Sequence, residues 1–178
     1  MDAMTVNEIF RNPEFLKLAT IGGHKVFHLE GDALTHTKLV VHEAFEHFGG
    51  DPFMMKVATL HDVGKIYTSI KHGENDWEYP DHAQCGAFRG VLSKFIPEAD
   101  PDFKDIQWYI RNHIKPLYWR GKDLDAEFAK VMRDAPSPRC TVKNLAGLAL
   151  CDIRGSVSVE PQIELVEFLE NIERHSEK

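Results

Sequence analysis

The run Ala58-Thr59-Leu60-His61-Asp62-Val63-Gly64-Lys65 sets an imidazole, a carboxylate and an ammonium within five residues at the end of an apolar stretch. These groups suit a divalent metal with a phosphate-binding cation beside it. Adjacent residues on a helix point about 100° apart, so His61 and Asp62 reach one point only where the backbone turns or the helix ends. Gly64 is expected to supply that ending by closing the helix in the left-handed conformation. A plain cap at Asp62 and a solvated, helix-terminating lysine at Lys65 are the competing readings.

Further groups of the same chemistry lie far away in the chain. His36, His82, His113 and Asp152 each fall near the start or end of an expected helix. Helix ends converge on one centre in a bundle while the shafts pack around it. Asp152 follows an apolar run, and an ionised carboxylate buried there needs a cation or several hydrogen bonds. An exposed aspartate at a helix C-terminus fits the same sequence. A single histidine is more often a surface or hydrogen-bonded residue than a ligand. His24, His42, His47, His72 and His175 are read as solvated.

The elements that position these residues read as helices. Thr5 to Leu18 is an entry helix interrupted by Pro13. Thr35 to Phe48 carries Val40, Ala44, Phe48 and His36 on one stripe, with Asp32 or Thr35 as its cap. Asp51-Pro52 restarts a helix that runs to His61. Pro80-Asp81 caps a helix from His82 to Phe95. Another runs from Pro101 to His113, and a weaker one spans Asp123 to Met132. Thr141 caps a run apolar nearly all round, Val142 to Leu150, which belongs at the centre of the core. Ile163 to Ile172 is the last helix. The expected class is all-α, one domain over 1–178, about seven helices, with a short β-hairpin near 67–79.

Composition narrows the function classes. The 178 residues suffice for one well-buried domain, and the net charge of −7 argues against a large basic nucleic-acid footprint. It leaves room for a small nucleotide or an RNA end, because a bound metal brings its own charge. Three cysteines, Cys85, Cys140 and Cys151, form no close pair, so a reducing, cytoplasmic setting is expected. The opening residues lack the charged-then-apolar pattern of a secretion signal, and no membrane span is expected.

Taken in order, His28-Leu29-Glu30-Gly31-Asp32-Ala33-Leu34-Thr35-His36-Thr37, Ala58 to Lys65, Asp81-His82-Ala83-Gln84-Cys85-Gly86-Ala87, His113, and Asp152-Ile153-Arg154-Gly155 resemble the metal-binding motifs of the HD superfamily of phosphohydrolases. The resemblance spans about His28 to Gly155. It is closest to the HD domain that follows the catalytic head in some bacterial tRNA nucleotidyltransferases. It implies an HD-domain helical bundle in which His36, His61, Asp62 and Asp152 hold a first metal. His82 and His113 match positions that hold a second ion in two-metal relatives, with Asp62 bridging. The nucleotidyltransferase head has no counterpart here, so CCA addition is not expected. Gly64-Lys65 stands where nucleoside 5′-monophosphatase relatives place a glutamate, which weakens a 5′-deoxynucleotidase reading.

The expected function is hydrolysis of a nucleotide phosphomonoester or phosphodiester, with 2′-phosphate or 2′,3′-cyclic phosphate favoured. One or two divalent ions, Mn, Fe, Ni, Zn, Co or Mg, lower the pKa of a bound water and give a hydroxide nucleophile. Asp62 is expected to orient that water, and Lys65 to stabilise charge on the phosphoryl group. His28 is placed at the mouth of the site, with Arg111, Lys115 and Arg154 as phosphate-binding candidates. Trp77, Tyr79, Tyr118 and Trp119 are candidates to stack on a base. Two other readings remain: a metal-loaded module that binds a nucleotide or partner without turnover, and a structural metal closing a helical bundle.

Overall fold

The computed structural model describes residues 4–23, 28–74 and 76–176. His24 and the hairpin's Asn75 lie outside them. Among the described residues there are ten α-helices, and the single sheet has two strands.

Helix α1 (Val6–Phe10) opens on a capping box between Thr5 and Glu8. The expected entry helix is split near Pro13, and a 3-10 helix (Phe15–Thr20) follows. Helix α2 (Ala33–His47) is capped by Asp32, whose carboxylate accepts from the Thr35 amide at 2.9 Å. Gly49 and Gly50 then turn the chain with φ of 61° and 73°. Helix α3 (Pro52–Leu60) starts on Asp51, which accepts from Phe53 and Met54.

A tight turn leads to α4 (Lys65–Thr68). Strands β1 (Ile70–Gly73) and β2 (Asp76–Glu78) then pair as an antiparallel hairpin. The helix expected from His82 to Phe95 is instead two, α5 (His82–Ala87) and α6 (Arg89–Leu92). Phe88 is extended between them, and the Gln107 side-chain amide donates to the Ala87 carbonyl at 2.7 Å, taking the place of a helical partner. Helix α7 (Phe103–Asn112) and a 3-10 turn (Lys115–Tyr118) precede α8 (Leu124–Met132), α9 (Val142–Gly155) and α10 (Ile163–His175). The count exceeds seven partly because α5 and α6 replace one expected helix and because α4 forms where no helix was expected.

Helix α9 runs through the core between α2 and α10. Val142, Leu145, Ala146, Leu148, Ala149, Leu150 and Cys151 are all buried, as its all-round apolar pattern demands. Burying one such leucine contributes about 1.5–3 kcal/mol. Gly155 brings α9 against α2: a Cβ there would fall 2.8 Å from the Val40 backbone nitrogen. That approach carries Asp152 onto His36, one helical turn before Val40. No helix among the described residues is long and apolar enough to cross a membrane.

Candidate metal centre

His61 and His113 occupy the C-cap positions of α3 and α7, and His82 opens α5. Each ring is held in the same way, by a carbonyl three residues earlier. His61 Nδ1 meets Ala58 O at 2.7 Å, His82 Nδ1 meets Tyr79 O at 2.9 Å, and His113 Nδ1 meets Ile110 O at 2.7 Å. A carbonyl only accepts, so each Nδ1 carries the proton and each Nε2 offers a lone pair. Those lone pairs converge. His82 Nε2 and His113 Nε2 stand 3.3 Å apart, a pair of acceptors without a proton to share.

Asp62 lies between two clusters. Its Oδ1 is 3.4 Å from His82 Nε2 and 3.7 Å from His113 Nε2. Its Oδ2 is 3.3 Å from His61 Nε2 and 3.7 Å from His36 Nε2. Asp152 Oδ1 completes the second cluster, 2.9 Å from His36 Nε2 and 3.8 Å from His61 Nε2. The six ligand candidates from the sequence are thus brought together as His36–His61–Asp152 and Asp62–His82–His113. His61 Nε2 and Asp62 Oδ2 are buried without an aligned hydrogen bond. An acceptor buried without a partner, as His61 Nε2 is, costs free energy that a cation recovers, whereas Asp62 Oδ2 already has the Lys65 ammonium beside it. Four imidazoles and two carboxylates, without thiolate, form a donor set that fits a divalent transition ion or magnesium.

Glu30 was missed by sequence reasoning. It sits in an irregular segment where no periodicity marks it. Its Oε1 lies 3.0 Å from His28 Nδ1 and 2.8 Å from His36 Nδ1, the latter off the line of a hydrogen bond. The Val157 amide donates to its Oε2 at 3.0 Å. The loop before α2 is thereby fastened to the chain after α9, and Leu29 N–H to Val157 O adds a second tie at 2.8 Å. Burial raises the Glu30 pKa, but His28, His36 and the Val157 amide override it and hold the carboxyl well below its usual range.

The other titrations follow from the same crowding. Burial opposes charging His36, yet the Asp152 and Glu30 carboxylates push its pKa up to about 9. Burial pulls His82 down to about 4, only partly offset by Asp62. Burial resists ionisation of Asp62 and Asp152 too. Next to His61 and Lys65 in one case and His36 in the other, both carboxyls are nonetheless held low.

Lys65 is buried with its ammonium 2.5 Å from Asp62 Oδ2 and 4.5 Å from the centre of the Tyr79 ring. It is therefore no solvated terminator. Gly64 departs from expectation as well. Its φ is −63°, right-handed, and its lack of a side chain serves packing: a Cβ would fall 1.9 Å from the His82 carbonyl oxygen. Asp81, expected as a side-chain cap, makes no cap bond and takes φ 51°, which turns the chain into His82.

The centre opens into a cleft of about 310 Å³. His28, Asp62, Lys65, Tyr79, His82 and Asp152 line its floor and rim. The rest of the lining is mostly apolar, built by the 3-10 turn with Ile114 just before it, the end of α9 and the start of α10. Three expected phosphate binders stand outside this lining. Arg111 and Lys115 are exposed, and Arg154 pairs with Glu170 at 2.8 Å. Of the stacking candidates, Tyr79 and Tyr118 line the cleft. Trp119 is buried in the core, and Trp77 lies against Gly22. His42 is exposed, as expected, and so are His72, 3.1 Å from Glu78, and His175, 3.4 Å from Asp125. His47 is instead half-buried against Glu173 at 2.8 Å. The three cysteines are free. No family model, curated protein or solved structure matches the chain, so the residues themselves carry the functional reading.

Proposed function

We propose that this chain is a metal-dependent phosphohydrolase of the HD superfamily, cytoplasmic, acting on a nucleotide phosphoester, with 2′-phosphate or 2′,3′-cyclic phosphate ends favoured. The observation that supports it most is Asp62, with one carboxylate oxygen turned to each of two imidazole clusters, in one of which His82 Nε2 and His113 Nε2 face each other with no proton to share. His36, His61, Asp62 and Asp152 would hold a first divalent ion, and Asp62, His82 and His113 a second. Such an ion supplies Lewis-acid activation of water and neutralises charge on a phosphoryl oxygen.

The chain's own groups do the rest. Asp62 accepts a hydrogen bond from the attacking water and fixes its direction toward the cleft. Lys65, anchored by Asp62 and the Tyr79 ring, faces the phosphoryl oxygens with a fixed positive charge. The carbonyls behind His61, His82 and His113 keep the ring tautomers constant. The apolar side of the cleft limits the water that reaches the ester.

The test strips the protein of metal, restores Mn, Fe, Co, Ni, Zn or Mg singly, and assays 2′,3′-cAMP, 2′-AMP and p-nitrophenyl phosphate. Asp62→Ala is expected to lose both bound metal and turnover. Lys65→Ala is expected to keep the metal and lose roughly 10²–10³ in kcat, as when one charge-stabilising donor is removed. No turnover with any metal, or an Asp62→Ala protein still loaded and active, defeats the assignment.

A further inference from the structure

Resting on the hydrolase reading, we propose that the apolar side of the cleft is a nucleobase subsite. Ile114, Leu117, Ile153 and Leu165 form its wall, Tyr118 supplies an aromatic ring, and Gln162 reads a polar edge. The cleft is chemically divided. Its floor gathers carboxylates, imidazoles and the Lys65 ammonium, whereas the aliphatic part of the lining comes from three elements, the 3-10 turn with its N-cap Ile114, α9 and α10. A phosphate seated on the floor leaves the organic part of its ester against that wall.

Sugar hydroxyls gain nothing from aliphatic carbon, but a flat base gains on both counts, by area and by stacking. Tyr118 ends the 3-10 turn with its ring largely in solvent, 65% exposed. An aromatic ring open to water beside an apolar wall is a stacking platform. Gln162 occupies the N-cap position of α10, yet its side chain makes no capping bond. Its amide keeps a donor and an acceptor for a base edge. A volume of about 310 Å³ is at the small end for ligand pockets, which suits one nucleotide. Arg111, Lys115 and Arg154 stand outside the lining, so the wall meets the organic group of the ester and not a further phosphate.

Two measurements test this. In the first, the metal-free protein is mixed with adenosine or with ribose, and saturation is transferred by NMR from aliphatic methyl protons to ligand protons. The purine protons of adenosine should receive it, ribose should receive none, and Leu117→Asp should abolish the transfer. In the second, the metal-restored protein hydrolyses 2′-AMP and β-glycerophosphate, both esters of secondary alcohols. The kcat/KM ratio should favour 2′-AMP by roughly tenfold or more, mostly through KM. The exposed Tyr118→Ala substitution should shrink that ratio by roughly fivefold, and it serves if Leu117→Asp does not fold. A ratio near one, or equal transfer to ribose, overturns the subsite while leaving the hydrolase reading intact. Transfer to the purine with no ester turned over by any metal upholds the subsite and defeats the hydrolase reading instead.

Discussion

Glu30 stands behind the His36 ring at Nδ1, where backbone carbonyls stand behind His61, His82 and His113, but it acts there by charge, its oxygen lying off the hydrogen-bond line. Partners of this kind typically contribute 10–100-fold to metal affinity. Glu30→Gln keeps the size of the side chain but removes the charge. It is expected to weaken metal binding roughly tenfold or more, measured by competition with a chelating dye, while the helical circular dichroism stays constant. Unchanged affinity would reduce Glu30 to a tie between two loops. The six residues gathered at the centre were legible because histidine and aspartate at the ends of apolar runs are chemically conspicuous. Glu30 was not, because it sits in an irregular segment and reaches His36 across a turn that no spacing rule describes. Arg111, Lys115 and Arg154 show the converse: nearness in sequence to a ligand did not bring their charges into the cleft.

Gly64 shows how one element is aimed at another. The turn after α3 and the start of α5 meet so closely that the glycine hydrogen is the largest substituent the contact admits. Gly64→Ala drives a methyl group into the His82 carbonyl, the residue whose imidazole belongs to the Asp62–His82–His113 cluster. The expected cost is about 1–3 kcal/mol or more, read as a lower urea midpoint, together with reduced metal stoichiometry. Full stability and full stoichiometry would contradict the close contact. Helix starts at Asp51-Pro52 and Thr141 were legible, because capping is local chemistry. The reason for Gly64 was not, since glycine permits both an unusual φ and a close approach, and only tertiary packing tells them apart. The break at Phe88 likewise comes with a hydrogen bond from Gln107 to the Ala87 carbonyl, twenty positions apart in sequence.

The metal-free molecule as a whole should record its two shifted histidines. His36 has its pKa raised from 6.5 to about 9, so its contribution is complete below pH 6.5 and is lost as pH climbs through 9. His82 is lowered from 6.5 to about 4. It stays neutral in the folded state while the unfolded chain takes up a proton, so stability drops as pH descends from 6.5 toward 4. Each arm is on the order of 3 kcal/mol. The urea midpoint of metal-free protein is therefore expected to peak near pH 6.5. His36→Gln should flatten the alkaline arm and His82→Gln the acid arm. A profile that ignores both substitutions removes these groups from the balance.

His36 and Asp152 touch although 116 positions separate them. A cation gripping both would act as a reversible clasp, fastening the second helix to the ninth without a covalent bond. Closing so long a loop with a permanent link removes about 4–5 kcal/mol of disorder from the unfolded chain. With such a cation bound the centre would have a mechanical side: a backbone nicked near Pro136, between α8 and α9, is expected to run as one particle in gel filtration with metal present and to come apart more readily in chelator.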